Sequence, residues 1–407
     1  MRFHVLSLPH TVTRKDYSAC AFTMKVLKFC KMMTRRGHTV YHYGHADSIV
    51  ECTEHIAVTD NEVLEKAYGN HDWRKNFFKH DTSDHAHQTF NERAIVEVGK
   101  RKQPRDFILC FWGYAHRPIF QCYPDMIPVE PGIGCTNEPC TPQSVVESYS
   151  VMNQVYGMYK RGPHWYDAVI PNYFDPEDFE FNDTPKDYFL YVGRIISSKG
   201  VGIAIEVTKR LGVKLLIAGQ GDITEICNPV PDHVTLIGYV EPDQRNELMR
   251  NAKALFAPTH YNEPFGGVTI EALFCGTPNI TSDWGGFAEN NLHGITGYRC
   301  RTIEQFVWAA RNIDKISRKV CHEWAMKNFS LDRVSLMYEE YFTTLLKVHN
   351  GENGFYAYNE NRTELDWLTR YYPTAPMSSS LLGAEETSKQ GDEFVLETKL
   401  PEMNPSS

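Results

Sequence analysis

Glu263 and Glu271 bracket the stretch of this chain best equipped for chemistry, Glu263-Pro-Phe-Gly-Gly-Val-Thr-Ile-Glu271-Ala, with Gly276-Thr-Pro just behind it. Gly266 and Gly267 allow backbone amides to approach a ligand closely, and a helix beginning there turns unpaired N–H groups and a positive dipole end toward an anion. A diphosphate fits that description. Glu271, one to two turns into the helix, suits ribose hydroxyls, and Glu263, on the loop before it, suits the hydroxyls of a sugar. A second cluster, Gly193-Arg-Ile-Ile-Ser-Ser-Lys-Gly200, directly follows an expected strand, which puts Arg194 and Lys199 at the carboxyl edge of the same sheet. Two cations there neutralise a departing diphosphate, and each well-placed contact of this kind lowers a barrier by roughly 2 to 4 kcal/mol. A metal ion commonly does that work. The sequence contains no Asp-x-Asp, so it predicts a metal-independent site in which Arg194 and Lys199 take the ion's place.

Four elements in order, Tyr191-Val-Gly-Arg194 with Lys199-Gly, Ala218-Gly-Gln-Gly221, Gly238-Tyr-Val240, and the Glu263 to Glu271 block with Gly276-Thr-Pro, resemble the donor-binding domain of retaining family 4 glycosyltransferases (glycosyl transferases group 1), which have the GT-B fold. The resemblance spans residues 188–301. It implies that Arg194 and Lys199, with Gly193 beside them, bind the diphosphate, that Glu271 binds the ribose, and that Tyr239 and Val240 meet the base. It further implies that Glu263 holds the donor sugar together with Phe265 and Gly266, with Gly267 and Val268 among the residues that bind the donor. The co-substrate would be a nucleotide-diphosphate sugar, UDP or GDP, with no separate cofactor. A hexose-like sugar would be transferred with retention by a front-side displacement. Phe111-Trp-Gly-Tyr-Ala-His116-Arg117 lies where such enzymes place a histidine near the reacting sugar, making His116 the first-domain candidate and Trp112 the alternative register. The first domain departs from the pattern at Leu8-Pro-His-Thr-Val-Thr-Arg14, where members often carry a glycine-rich loop. The acceptor therefore stays open between a glycan, a glycolipid and a hydroxymethylated DNA base. A non-catalytic sugar-nucleotide-binding protein of the same fold and a sugar-nucleotide 2-epimerase are the rival readings.

Such a site needs two sheets to carry it. At 407 residues the chain is long enough for two domains. Phe3 to Leu8, a helical stretch over 18–36 stopped at Gly37, and Thr39 to Tyr43 read as strand, helix, strand, the opening of a parallel α/β sheet. Phe107 to Trp112 and Met126 to Val129 read as later strands, while Asn70 to Asn91 reads as polar and irregular. After Ala168-Val-Ile-Pro-Asn the pattern restarts with Tyr188 to Val192, a helix from Gly200 to Leu211, and Lys214 to Ala218. The expected architecture is thus two Rossmann-like doubly wound domains, 1–182 on the acceptor side and 183–330 on the donor side, facing a central cleft. An amphipathic crossing helix over 331–348 and an extension over 349–407, disordered beyond 373, complete it.

The remaining features constrain function less. The net charge is −9, but residues 351–407 hold ten acidic and four basic side chains, so the body is close to neutral. No apolar run reaches membrane-span length and the N-terminus lacks the form of a signal peptide. Eleven cysteines without a Cys-x-x-Cys pair fit a reduced, cytoplasmic protein. Lys25, Lys28, Lys31 and Arg35 recur at helical spacing, a solvated face or a basic stripe for peripheral contact with membrane or nucleic-acid phosphates. His80, His85 and His87 with Asp81 and Asp84 match no familiar metal spacing and read as a solvated loop. Trp367, Tyr371 and Tyr372 would pack back on the body or meet a partner.

Overall fold

The computed structural model describes residues 1–160, 162 and 167–351, all of which lie in one compact unit. The extension, including Trp367, Tyr371 and Tyr372, lies almost entirely outside the described residues. The first sheet contains β1 (Arg2–Leu6), β2 (Thr39–His45), β3 (Glu54–Thr59), β4 (Phe107–Cys110), β5 (Ile127–Ile133), β6 (Gln143–Val146) and β7 (Ala168–Val169). Its order is β3-β2-β1-β4-β5-β6-β7. The second sheet, of β8 (Phe189–Val192), β9 (Leu215–Ala218), β10 (Val234–Gly238), β11 (Ala254–Ala257), β12 (Asn279–Ser282) and β13 (Gly297–Cys300), runs β10-β9-β8-β11-β12-β13. Every pairing is parallel. The central strands are buried on both faces, as in β4 (Phe-Ile-Leu-Cys) and β9 (Leu-Leu-Ile-Ala), which explains their unbroken apolar runs. This is the expected pair of doubly wound α/β sheets.

The helices of the first domain are α1 (Ala21–Arg35), α2 (Asn61–Tyr68), α3 (Trp73–Asn76), α4 (His85–Arg101), α5 (Arg117–Gln121) and α6 (Tyr149–Tyr159). The stretch read as irregular contains α3 and the start of α4. Asp84 caps α4 by accepting from the His87 amide, and the helix buries Ala86, His87, Phe90, Ala94 and Val98. Its apolar positions are sparse enough for the polar residues between them to hide the period. The strand β3 was likewise not marked in the sequence, because only Ile56, Val58 and Thr59 of its six residues are buried.

In the second domain come α7 (Val201–Leu211), α8 (Pro242–Asn251), α9 (Gly267–Phe274), α10 (Phe287–Asn290), α11 (Ile303–Asn312) and α12 (Arg318–Phe329). The last helix, α13 (Leu331–His349), returns to the first domain, where Phe342 packs against Phe3 and Phe107 with ring centroids 4.8 and 4.7 Å away. Tyr338 meets Phe29 of α1 at 5.4 Å. The two chain crossings are tied together: the Phe174 amide donates to the Phe329 carbonyl at 2.8 Å, and the Leu331 amide to the Phe174 carbonyl at 2.9 Å. No helix among the described residues is long and apolar enough to cross a membrane.

One buried cation binds the linker to the second domain. The Arg318 guanidinium donates to the carbonyls of Asn182 (2.6 Å), Ala252 (2.8 Å) and Arg250 (2.7 Å) and to the Thr277 hydroxyl (2.8 Å). Arg318→Met removes these donors and strands buried carbonyls, each costing on the order of 1–3 kcal/mol. Urea denaturation of this variant is expected to lower stability by about 3 kcal/mol or more, and Arg318→Lys, which cannot span the fork, is expected to recover less than half of it.

Candidate active site

In an open parallel sheet, the loops at the carboxyl ends of strands diverge where the strand order reverses, and a crevice opens there. Both sheets reverse at their first strand, between β1 and β4 and between β8 and β11. The four loops that follow these strands line one cleft of about 960 Å³. From the second domain they bring Arg194, Lys199 and Glu263; from the first they bring His10 and Trp112.

Backbone geometry fixes the second-domain half. Gly200 has φ +74°, and a Cβ there would sit 1.9 Å from the Pro258 carbonyl oxygen, so glycine lets the loops after β8 and β11 touch. That contact brings Lys199 Nζ to 2.7 Å from Glu263 Oε2, which also accepts from the Tyr261 hydroxyl at 2.6 Å. Gly266, with φ +80°, is the N-cap of α9, and a Cβ would meet Phe287 Cε1 at 2.2 Å. The start of α9 is therefore bare backbone facing the cleft, with Val268 and Glu271 on its exposed side. Glu271 lies 3.3 Å from Arg245 Nη2. Tyr239 and Val240, after β10, form the far wall with Gln220. All the second-domain residues named from sequence, Gly193, Arg194, Lys199, Tyr239, Val240, Glu263, Phe265, Gly266, Gly267, Val268 and Glu271, line this single cleft.

The first-domain half differs from the sequence reading. His116 does not line the cleft. The 3-10 turn Gly113–His116 rotates it inward, where it is fully buried, bonds the Ser7 carbonyl through Nε2 at 3.0 Å and stacks on Phe90. Burial pushes its pKa down to about 3, so it is a neutral packing group. Trp112 takes the cleft position instead, its indole N–H donating to His87 Nε2 at 3.1 Å, while His87 Nδ1 lies 2.8 Å from Asp84. His10, which the sequence reading passed over, faces the cleft from the loop after β1.

The three lysines of the α1 stripe face the protein and do not form a free surface for phosphates of membranes or nucleic acid, and only Arg35, at its end, stays exposed. Lys25 is buried against Glu147 at 2.8 Å and donates to the Gly132 carbonyl at 2.7 Å. Lys31 pairs with Asp175 and Glu177, and Arg35 with Glu51 and Glu177. Lys28 has no carboxylate within ion-pair distance among the described residues. Its ammonium rests 4.2 Å from the Phe174 ring centre, and a Cβ on Gly267 would lie 3.5 Å from the same ring, so a free cation sits just across Phe174 from the start of α9. Burial lowers its pKa to about 8. In the histidine cluster, Asp84 and His87 serve helix α4 and Trp112, and the described residues contain no group of three or more potential metal ligands.

The domains meet on both flanks of the cleft. On one, the Glu289 carboxylate receives the Tyr149 and Ser150 amides at the start of α6 (2.9 and 2.8 Å), and Ser148 donates to the Pro264 carbonyl at 2.6 Å. On the other, Arg74 of α3 reaches Glu241 at 3.2 Å, Gln220 donates to the Trp73 carbonyl at 2.9 Å, and Arg194 lies over the Phe77 ring at 5.1 Å.

Residues 175–324 match the glycosyl transferases group 1 family. The chain is 27% identical over 236 residues to an uncharacterized glycosyltransferase of Methanocaldococcus jannaschii, covering 51% of this chain and 57% of that protein. It is 36% identical over 137 residues to a glycogen synthase of Mycobacterium tuberculosis, covering 30% of this chain and 33% of the other. The chain thus spans just over half of the first relative and a third of the second. Among solved structures, a glycosyltransferase involved in avilamycin A biosynthesis superposes with TM-score 0.64 at 17% identity, over 85% of this chain and 98% of that one. HepE of Anabaena in complex with UDP and glucose gives 0.61 at 13%, over 84% and 100%. The fold is GT-B, and residues 175–324 of it are similar to glycosyl transferases group 1.

The burial of His116 has a pH signature. Its folded pKa lies below the ordinary value near 6.5, so the unfolded chain binds the extra proton between about pH 6.5 and 3, and acidification through that window costs stability. Denaturation of His116→Leu across pH 7 to 4 is expected to show a shallower loss of stability than the native chain, whatever its stability at pH 7.

Proposed function

We propose that this protein is a retaining, metal-independent glycosyltransferase that moves a hexose-like sugar from a UDP- or GDP-sugar to a hydroxyl acceptor. The observation that carries the reading is the meeting, in one cleft, of the bare α9 N-terminus, Arg194, Lys199 and the Glu263 carboxylate. Each part suits one portion of such a donor. The α9 amides and the two cations take the diphosphate, Glu271 the ribose, Tyr239 and Val240 the base, and Glu263 the sugar hydroxyls. The match to glycosyl transferases group 1 supports the same assignment, and UDP is favoured by its presence in HepE, a protein of like fold.

In the proposed reaction the acceptor oxygen bonds to the anomeric carbon on the face from which the diphosphate departs. The bond from that carbon to the phosphate oxygen breaks, and the hydroxyl proton passes to that oxygen. Charge grows on the leaving diphosphate, so fixed cations around it act where the transition state needs them. Arg194 and Lys199 supply two from the second domain. Lys28 supplies a third from the first, across Phe174.

A calorimetric screen of UDP-, GDP-, ADP- and dTDP-sugars, with chelator present, tests the reading. One donor is expected to bind and hydrolyse slowly in the native chain and to lose at least ~10-fold in affinity in Glu271→Ala, from lost charge-assisted hydrogen bonds. Binding of no donor would overturn the assignment, turnover of a donor to its epimer without acceptor would favour an epimerase, and activity that vanishes in chelator would remove the metal-independent part. Lys28 predicts a pH dependence. Its charge is lost as pH rises through about 8, so donor affinity should fall between pH 7 and 9. Lys28→Met should bind roughly 10-fold more weakly at pH 7, on the scale of one charge-assisted contact, and lose that step.

A further inference from the structure

Between α2 and α4 the chain runs as a short arm, residues 69–84, whose one regular element is α3. Gly69, with φ +62°, turns the chain into the arm, and Asp84 ends it by capping α4. An aromatic stack anchors its base: Trp73 lies on Tyr17, from the loop after β1, at 4.7 Å and on Phe78 at 4.9 Å. From there the arm reaches the second domain, where Arg74 pairs with Glu241 and Gln220 donates to the Trp73 carbonyl. Its tip is Phe77, and the group facing Phe77 is Arg194.

Phe77 holds a backbone conformation of φ +57° and ψ 173°, a region occupied almost solely by glycine because a Cβ crowds the backbone there. Such a conformation persists only where the surrounding contacts over-determine it. His71 Nε2 donates to the Phe77 carbonyl at 2.5 Å, and Phe78 meets the Phe77 ring edge to face at 5.4 Å. What the strained turn fixes is the direction of the ring, whose centre lies 5.1 Å from the Arg194 guanidinium carbon, within the range of a cation–π contact.

Arg194 differs from the other cations of the second-domain wall. Lys199 is paired with Glu263 and Arg245 with Glu271, whereas among the described residues the Arg194 guanidinium makes no hydrogen bond or ion pair. An unpaired arginine on a loop samples many rotamers. A ring against its flat face restricts it and uses none of its N–H donors, which lie in the guanidinium plane and stay free for an anion.

We propose that Phe77 is a positioning residue for the donor diphosphate, holding Arg194 by its face from the opposite lobe so that the guanidinium edge is presented to phosphate oxygens. The inference rests on the glycosyltransferase reading, which gives Arg194 the diphosphate, and deepens it: the cation belongs to the second domain, but its direction is set by the first. By linkage, whatever factor the seated arm adds to diphosphate affinity, a bound diphosphate returns to the seating of the arm.

Phe77→Gly and Phe77→Ala both remove the ring, but only glycine relieves the backbone, so the pair separates the ring from the turn. Calorimetry with UDP, GDP, ADP and dTDP is expected to show both variants about 5-fold weaker than the native chain for the nucleotide that binds, the loss of one cation–π contact, while thermal denaturation shows Phe77→Gly to be the more stable of the two. Phe77→Tyr, which keeps a π face, should stay within about twofold of native affinity. In an Arg194→Ala background, Phe77→Gly should cost nothing further. Tryptic cleavage after Arg74, Lys75 and Lys79 reads the seating of the arm without any nucleotide, and it should be faster in Phe77→Gly and in Arg194→Ala than in the native chain. Native affinity in both ring-less variants, recovery in Phe77→Gly alone, an undiminished cost of Phe77→Gly in Arg194→Ala, or cleavage that the variants leave unchanged would each overturn the proposal and leave the glycosyltransferase reading standing. If no nucleoside diphosphate binds the native chain, that reading fails and the role of Phe77 fails with it.

Discussion

The geometry of the cleft depends on a pair of backbone hydrogen bonds. Where Phe174 passes from the first domain to the second, its amide and carbonyl bond Phe329 and Leu331, on the segment that passes back. Two independent crossings become one strap, with Asp175 beside it engaged by Lys31 of α1. Two lobes joined by one strand are free to twist about it. Joined by two strands that are bonded together, they are confined mainly to a hinge about a shared line. The loops at the two topological switch points stay opposite one another because that line lies beneath them, and Phe174 itself forms part of the cleft floor between Lys28 and Gly267.

Given that constraint, the contacts on either flank have a clear sense. Glu289 at the start of α6 and the Arg74–Glu241 pair opposite it bind lobe to lobe across polar, rearrangeable groups, whereas the hinge side is packed with Phe174, Phe179, Phe265 and Phe274. Apolar contact at the axis and charged contact at the rims is the distribution expected of lobes that part and rejoin, because ion pairs with access to water cost little to exchange. Arg194 over Phe77 belongs to the same rim, so one cleft-lining cation is held by the opposite lobe.

The second-domain half of the cleft was legible in the sequence because its residues lie at short spacing along the chain. Arg194 and Lys199 lie on one loop, and Gly266 to Glu271 on one helix start, so local order suffices to find them. The first-domain half has no such compression. His10 and Trp112 meet in the cleft only after β1 and β4 are in place, and no period or motif links them. His10 did carry one usable signal, its position directly after the first strand, where the sheet reverses. His116 follows from the resemblance, which places a histidine in that stretch, and a single 3-10 turn buries it. The α1 lysines show the same limit: their spacing correctly placed them on one helix face, but Glu147, Asp175 and Glu177, which receive them, are more than a hundred residues away.

The return of α13 also determines what counts as a heritable module here. The aromatic floor of the first lobe, Phe3, Phe29 and Phe107, is closed by Phe342 and Tyr338 from the far end of the chain. A gene segment ending at the linker would encode that lobe with its floor open to water. Recombination between relatives that exchanges first domains must therefore carry two separated stretches together, the amino-terminal sheet and its distant helix, whereas the second domain between them can be replaced as one uninterrupted block.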